Sequence, residues 1–367
     1  MVKVKGFIKK YIPVFTLVSF ALALLSLVFT LIARSSYAFA DFINSTVSHA
    51  YRFLAAKISG IFPFSLFEVL MYLIIPIIIL LVVAAFKLFR TDTARIRYAF
   101  TLFGVVLLIY TTYVFSLALP YRATPIGEKL GISDVEITEN KLYVTAKLLL
   151  DEANTLAERL EFDEAGSAVM PYSLDELSEK ISDAYASLSR KNSSIKGFSS
   201  RIKPIMTEGA MSSLRLLGIY TYYTGEANLN IHYPDFNLPF TTAHEFAHQR
   251  GIARENEANF VAFLVCLESD DDFIRYSGYL RLYEYVASSL YQTNKDRYRE
   301  LLAEMSDTVR GELIADREVS EQYADSFIGE ISHNANDFLL KINGTEGVVS
   351  YGLVTRLAVA YYQRART

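Results

Sequence analysis

Long runs without a charged side chain occupy much of the first third of the chain. They cover residues 11–33, 69–86 and 98–121. Because a helix of about 18–20 apolar residues crosses the hydrocarbon core of a bilayer, each run approaches or exceeds the length of a span. Three such runs so close together favour membrane spans over buried core helices. We therefore predict a membrane anchor at residues 1–121, with transmembrane helices at about 11–33, 68–88 and 98–120.

The hydrophobic pattern becomes that of a soluble domain after residue 121. Residues 149–161 and 173–189 repeat apolar positions at helical spacing. Residues 219–223 and 227–231 are rich in β-forming side chains, and the short turn between them predicts a hairpin. We therefore expect an α-rich membrane protein in which the anchor precedes one α+β domain at residues 122–367.

Basic residues are distributed unevenly around the three runs. Residues 34–68 carry three, whereas the segment before the first run and the loop between the second and third runs carry eight: Lys3, Lys5, Lys9, Lys10, Lys87, Arg90, Arg95 and Arg97. The positive-inside rule places the amino terminus and that loop in the cytoplasm, and everything after the third run outside it. The apolar segment between the first two runs fits either a helix in the bilayer interface or a packed loop.

Net charge separates the two parts of the chain as well. Residues 1–121 hold 11 basic and 3 acidic side chains, whereas residues 122–367 hold 25 basic and 37 acidic ones. An acidic soluble part argues against nucleic acid as a partner. The single Cys266 excludes an internal disulfide, and its apolar neighbours predict a place in the core. The lipid bilayer is thus the one partner that composition predicts, and the oligomeric state is not encoded in these patterns.

Candidate chemistry is concentrated in one pentapeptide. Residues 244–248 read HEFAH and use two of the five histidines in the chain. Histidines four positions apart lie one above the other on a helix, so both imidazoles reach the same metal ion. The glutamate between them is placed to take a proton from a metal-bound water. HExxH thus predicts His244 and His248 as ligands of Zn²⁺ and Glu245 as a general base, against the alternative of a surface helix that carries the pattern by chance.

A catalytic zinc needs three protein ligands and one open position. A second helix begins after Gly251, and its first turn offers Glu255 and Glu257. Glu255 shares a helix face with Ala258 and Asn259, which is small enough for close packing and polar enough to line a metal site. Glu257 shares its face with apolar side chains. We therefore predict Glu255 as the third ligand, Glu257 as the second choice, and Asn259 as a hydrogen-bond partner of a ligand histidine.

The two helices resemble those of the gluzincin metallopeptidases, in which HExxH is followed by ExxA(D/N)xxA. In those enzymes the glutamate of the second motif is the third zinc ligand, which corresponds to Glu255 here. The longer string from TGEAN at residues 224–228 through the second motif, together with the three-span layout, resembles bacterial membrane proteins with domain of unknown function 3810. The resemblance covers most of the chain and implies a zincin-like fold. One departure is Asn259, where an aspartate is common in gluzincins.

These features predict a membrane-anchored zinc metallopeptidase that hydrolyses peptide or protein substrates outside the cytoplasm. The alternative from another class is a non-hydrolytic sensor or scaffold that uses zinc to bind a peptide or envelope ligand. Glu245 favours the enzyme, because a purely structural site has no need of a base. Intramembrane proteolysis is a weaker alternative, because HExxH follows the third run by more than 100 residues.

Substrate contacts are predicted on the hairpin ahead of the motif helix. Peptidases commonly bind substrate as an added strand on a sheet edge. The strand at 227–231 is the candidate edge, on which Asn228 and Asn230 either contact the substrate backbone or face solvent. Side chains that could donate to a tetrahedral intermediate are His232, His333, Tyr276, Tyr279 and Tyr283.

Overall fold

The computed structural model of the chain contains three helices that are long and apolar enough to cross a membrane, as predicted. They cover Val14–Ala33, Leu66–Phe86 and Asp92–Arg122. The third has 31 residues, about ten more than a bilayer core requires. Its last turns are a π-helix at Val114–Ala118 and a 3₁₀-helix at Pro120–Arg122, and most of their side chains are buried by protein. The third apolar helix therefore continues without a break into the folded domain.

The structure describes residues 2–87, 91–132, 135–207, 209–327, 329–331, 333, 334, 337 and 351–364. Within them the α-helices are α1 (Val2–Tyr11), α2 (Val14–Ala33), α3 (Tyr37–Ser45), α4 (Val47–Ser59), α5 (Leu66–Lys87), α6 (Asp92–Tyr113), α7 (Ile126–Lys129), α8 (Glu139–Ala157), α9 (Leu174–Lys191), α10 (Ala210–Ser213), α11 (Asn237–Gln249), α12 (Glu255–Glu268), α13 (Asp272–Thr293), α14 (Lys295–Ala303), α15 (Asp307–Gln322) and α16 (Tyr351–Arg364). The strands are β1 (Ile202–Ile205), β2 (Gly218–Thr221) and β3 (Glu226–Asn230).

Helices α3 and α4 fill the segment between the first two spans. The Ser36 hydroxyl caps α3 by accepting a hydrogen bond from the backbone N–H of Phe39 at 3.2 Å. Helix α4 packs on the π-helical end of the third span, on β3 and on α11. This segment is therefore a pair of helices attached to the carboxy-terminal domain as well as to the anchor.

One hydrophobic core joins the helices of the carboxy-terminal domain. Helix α13 packs along α8, and α12 lies between α11, α9 and α13. Most of α12 is buried, and Cys266 lies in the core as predicted. The capping box predicted at the start of α9 is present, with Ser173 and Glu176 each bonded to the other's backbone N–H. This core holds α11 and α12 together and includes residues of the sheet.

The sheet has three strands in the order β1-β3-β2. Strands β2 and β3 pair antiparallel, which confirms the predicted hairpin, and β1 pairs with β3 in parallel. The prediction of β3 as an edge strand is therefore wrong. Asn228 and Asn230 do not face a substrate or solvent, since both are buried and hydrogen-bonded to Ser65 and Ser212.

A buried ionic network joins β3 to the start of the second span. The Glu226 carboxylate accepts the backbone N–H groups of Leu66 and Phe67, each at 2.9 Å. It also pairs with the Lys203 ammonium at 2.8 Å, and both side chains are almost wholly buried. The first N–H groups of a helix lack helical partners, so the carboxylate satisfies them and complements the helix dipole. The sheet and the second span are therefore held together by charge-assisted bonds.

Replacement of Glu226 by glutamine should strongly destabilise the protein. The Lys203 ammonium would be left buried without a counter-charge, at a cost of about 3–5 kcal/mol. Chemical unfolding in detergent measures the change. Glu321→Gln is the matched control, because Glu321 forms an exposed pair with Arg317 on α15, and no measurable loss is expected there. Equal stability of the two variants would show that the buried pair does not hold the sheet to the span.

Candidate metal centre

Helix α11 carries the HExxH motif between the core and the sheet. Phe240, Ala243, Phe246 and Ala247 face the hydrophobic core. Tyr185 of α9 donates a hydrogen bond from its hydroxyl to the carbonyl of Ala243 at 2.7 Å. The packing fixes the rotation of the helix, which leaves the histidine side toward α12 and β2.

Gly251 ends α11 and turns the chain back toward it. Its φ of +91° lies in the left-handed region, where glycine has no steric penalty. The N–H of Ile252 bonds to the carbonyl of Ala247 at 3.0 Å, which closes the last turn. A Cβ at Gly251 would lie only 2.5 Å from Oδ1 of Asn44 and would collide with the Arg52 guanidinium. The glycine is thus required both by the turn and by the close approach of α3 and α4.

This turn brings the three predicted ligands together. The Nε2 atoms of His244 and His248 lie 3.0 Å apart. The Glu255 carboxylate lies 3.3 Å from Nε2 of His244 and 3.6 Å from Nε2 of His248. Two ligands of a tetrahedral zinc with bonds of about 2.0–2.1 Å are separated by about 3.3 Å. The donor atoms and their spacing therefore fit one tetrahedral Zn²⁺.

A backbone carbonyl orients the second histidine. Nδ1 of His248 donates to the carbonyl of Ile252 at 2.8 Å, which leaves Nε2 to face the other two ligand atoms. Such a partner fixes the tautomer and ring orientation of a metal-binding histidine. Nδ1 of His244 is buried and has no hydrogen-bond partner within the described part of the chain. The role of Ile252 could not be predicted from the sequence, because the contact uses its backbone carbonyl, a group that every residue has.

Glu245 is buried beside this group and is held by β2. The backbone N–H of Tyr220 donates to its carboxylate. A Cβ on Gly218 would lie 2.6 Å from Oε1 of Glu245, so only glycine allows the strand to pass this close. The ring of Tyr220 stacks on that of His248, with centroids 6.4 Å apart. Gly218 and Tyr220 are functional neighbours that the sequence pattern missed, although their place in the strand before HExxH was a usable signal.

Glu257, the second choice for the third ligand, lies away from the histidines. It pairs with Arg254 at 2.8 Å and accepts the backbone N–H of Ile126 at 3.1 Å. Arg254 in turn donates to the carbonyls of Tyr121 and Ala123. Glu257 therefore joins α12 to the end of the third span, while Glu255 faces the site.

The remaining sequence candidates are not brought to the three ligands. Asn259 is buried on α12, and in the described residues it makes no hydrogen bond to His244 or His248. Its predicted contact with a ligand histidine is therefore absent, and for His248 the Ile252 carbonyl supplies it. His333 is exposed and His232 bonds through its backbone to Asn230. The three tyrosines of α13 belong to the hydrophobic core: Tyr276, Tyr279 and Tyr283.

The two residues after the motif fasten the end of α11. Gln249 donates to the carbonyl of Gly225 in the β2–β3 turn at 2.7 Å. Arg250 is buried with its guanidinium over the rings of Tyr185, Phe198 and Phe246, at 4.0, 4.3 and 5.0 Å. A cation at the carboxyl end of a helix is favoured by the helix dipole, and the ring faces add cation–π attraction.

Burial and the Glu255 carboxylate have the largest effects on the pKa values of the site. Burial alone would lower the pKa of His248, but Glu255 outweighs it and raises that pKa to about 9. Burial opposes the ionisation of Glu255 as well, yet the two histidines hold its pKa well below the ordinary value. Burial raises the pKa of Glu245, against the opposing effect of His244 and His248. A cation is therefore favoured between the ligands, beside a carboxylate that accepts a proton readily.

Comparison with known proteins identifies one family. The family described as "Protein of unknown function (DUF3810)" matches residues 39–359, which include most of α3, all of α4 and both site helices. This confirms the resemblance to that family drawn from the longer string of residues 224 onward and the three-span layout. No curated protein and no solved structure matches the chain.

The ligand assignment predicts different outcomes for two neighbouring glutamates. Glu255→Ala should lower zinc affinity by several orders of magnitude, because one of the three ligand side chains is lost. Glu257→Ala should keep the metal and lose stability, since its partners are Arg254 and Ile126. Metal content by elemental analysis and thermal unfolding separate the two effects. Metal loss in Glu257→Ala with retention in Glu255→Ala would reverse the assignment.

Metal-free protein should become less stable as the pH rises from about 6.5 to about 9. The folded pKa of His248 lies above its unfolded value, so its ion pair with Glu255 contributes fully below about 6.5 and is lost as the pH passes about 9. The contribution is up to about 3 kcal/mol. Thermal unfolding with a chelator present measures it, and His248→Gln should remove the dependence. A flat profile for the intact chain would contradict this pairing.

Proposed function

We propose that this chain, which belongs to the DUF3810 family, is a membrane-anchored zinc metallopeptidase of gluzincin type with an extracytoplasmic site. The observation that carries the proposal is the convergence of His244, His248 and Glu255, whose ligand atoms all lie within 4.8 Å of one another. A buried glutamate beside such a group is the arrangement that peptide hydrolysis needs. The zincin-like fold and the outward orientation are parts of the same proposal.

Each side chain of the site has a defined part in this reaction. Zn²⁺ held by His244, His248 and Glu255 would lower the pKa of its water toward about 7 and polarise the scissile carbonyl. Glu245 takes the proton of the attacking water and returns it to the leaving amine. Its raised pKa suits a group that must hold a proton between these two transfers. Tyr220 and Gly218 keep its carboxylate in place through the N–H contact and the close passage of β2.

The substrate is proposed to bind along β2. This strand is an edge of the sheet, and Gly218 and Ile219 at its start are partly exposed. Main-chain hydrogen bonds from an edge strand hold an extended peptide without reading its sequence. Because Gly218 lies against Glu245, a peptide paired with β2 would pass the base. This assignment replaces the contact expected from Asn228 and Asn230.

Glu245→Gln should keep the metal and abolish hydrolysis, since it removes the base and leaves every ligand in place. We expect a loss of about 10²–10⁴-fold in kcat for a random peptide library digested by the purified, zinc-loaded protein. Glu161→Gln is the control, because Glu161 is exposed in the loop that follows α8. Unchanged turnover in Glu245→Gln would refute the mechanism. Full zinc occupancy with no turnover in the intact chain would favour the non-hydrolytic sensor or scaffold.

A further inference from the structure

Helices α3 and α4 turn apolar side chains away from the protein. The face of α4 that meets the domain consists of Ser48, Arg52, Ala56 and Ser59. The opposite side of the two helices and the loop after them exposes Phe42, Val47, Leu54, Ile58 and Ile61. A helix of a water-soluble domain has the reverse arrangement, with its apolar stripe toward the core. We name these five exposed side chains the apolar face.

Charged side chains of this segment are turned toward the protein instead. Residues 37–65, which contain α3, α4 and the loop after them, are described throughout, and their Asp, Glu, Lys and Arg residues are Asp41, Arg52 and Lys57. Asp41 pairs with Lys129 at 2.6 Å, and Lys57 donates to the carbonyl of Ser199 at 2.9 Å. Arg52 is buried and donates to Oδ1 of Asn44 at 2.7 Å. The apolar face therefore carries no charge. A charged side chain would be favourable in water and costly in lipid, so this face is suited to lipid.

Covalent connection places this face next to the bilayer. Only residues 34–36 separate α3 from the end of the first span, and only residues 60–65 separate α4 from the start of the second. A short linker of six residues reaches at most about 22 Å even when fully extended. Both helices thus lie at the membrane end of the spans, and the occupant of the apolar face is the lipid surface.

The ligand group is fastened to the same end of the spans at two points. Nδ2 of Asn44 donates to the carbonyl of Gly251, in the turn between the site helices, at 2.9 Å. The Tyr220 hydroxyl bonds to Oγ of Ser116 in the third span at 2.9 Å, and its ring stacks on His248. One tyrosine side chain therefore separates the third span from a predicted metal ligand.

We propose that the apolar face is immersed in the bilayer interface and holds the His244–His248–Glu255 group at the membrane surface. Its substrates are then membrane-anchored polypeptides cleaved within a few residues of the bilayer. The substrate class rests on the proposed hydrolysis, whereas the immersion does not. An interfacial helix of this kind buries its apolar side chains about 5–10 Å into the headgroup and acyl boundary.

Immersion is tested by tryptophan fluorescence, because the chain has no tryptophan of its own. Ile58→Trp places a single probe on the apolar face, and Ile314→Trp places one on α15 of the soluble domain. The two isoleucines are matched in exposure, at 54% and 51%. In vesicles with brominated acyl chains, emission from Ile58→Trp should be blue-shifted and quenched at least about twofold more than that from Ile314→Trp. Equal quenching would overturn the proposal.

Substrate class is tested with the full-length protein in vesicles. A random peptide library is joined to a single-span anchor through a spacer of about 5 residues, which reaches about 18 Å at most, or of about 25 residues, which reaches about 80 Å or more. Cleavage near the anchor should exceed cleavage of the distant and anchor-free libraries by at least about tenfold, since tethering raises the effective concentration at the surface. Equal rates on all three libraries would refute the substrate class and leave hydrolysis intact.

A charge on the apolar face supplies the matched variant. Ile58→Glu should lower cleavage of the near-anchor library and leave cleavage of the anchor-free library unchanged, because residue 58 touches no part of the site. Ile314→Glu should change neither rate. If no library is cleaved but Ile58→Trp is quenched, the proposed hydrolysis fails while the immersion stands.

Discussion

The turn at Gly251 is the constraint on which the site depends. Glu255 can meet His244 and His248 only if α12 begins beside the end of α11, and a positive φ at residue 251 permits that reversal. The same turn is packed against Asn44 and Arg52 with no room for a Cβ. The carbonyl of Gly251 bonds to Asn44, and the absence of a side chain lets α3 and α4 approach the turn. Gly251 therefore connects the two site helices to the helices beside the membrane spans.

Buried polar contacts join the membrane-proximal helices to the domain. Among the described residues Arg52 has no carboxylate partner, and its two terminal nitrogens donate to Asn44 and to the carbonyl of Phe115. Burial lowers the pKa of Arg52 to about 10, which leaves it charged at neutral pH. Hydrogen bonds of charged groups in a low-dielectric interior are strong, and breaking one leaves a costly unpaired group. Such contacts have few alternative geometries, so they fix the position of the helices as well as stabilising them.

Local sequence patterns were sufficient for the parts of the structure that repeat at short range. The three apolar helices, the β2–β3 hairpin and the face of α12 that carries Glu255 all follow from spacings within a few residues. The choice between Glu255 and Glu257 could be made because helical periodicity separates them by a fixed angle. These features are encoded by side chains that lie next to each other in the chain.

Contacts between residues far apart in the sequence could not be predicted from such local patterns. Strand β3 is central because β1, more than twenty residues earlier, pairs with it. Its two asparagines can be buried because Ser65 and Ser212 form hydrogen bonds with their side chains. The carbonyl of Ile252 that orients His248 has no signature in the sequence. Distance along the chain is also a poor guide to distance in space. HExxH follows the third span by more than 100 residues, yet only the Tyr220 side chain separates His248 from Ser116.

The short distance between the third span and the site bears on what the anchor does. A tether that only held a soluble enzyme at the membrane would need a flexible linker, and its site could face any direction. Here the third span runs without interruption into the domain, and Glu226 caps the second span from inside the sheet. A rigid connection of this kind fixes both the height and the orientation of the ligand group. With the proposed immersion of the apolar face, a polypeptide would reach the site along the bilayer, which would favour segments that are themselves held there.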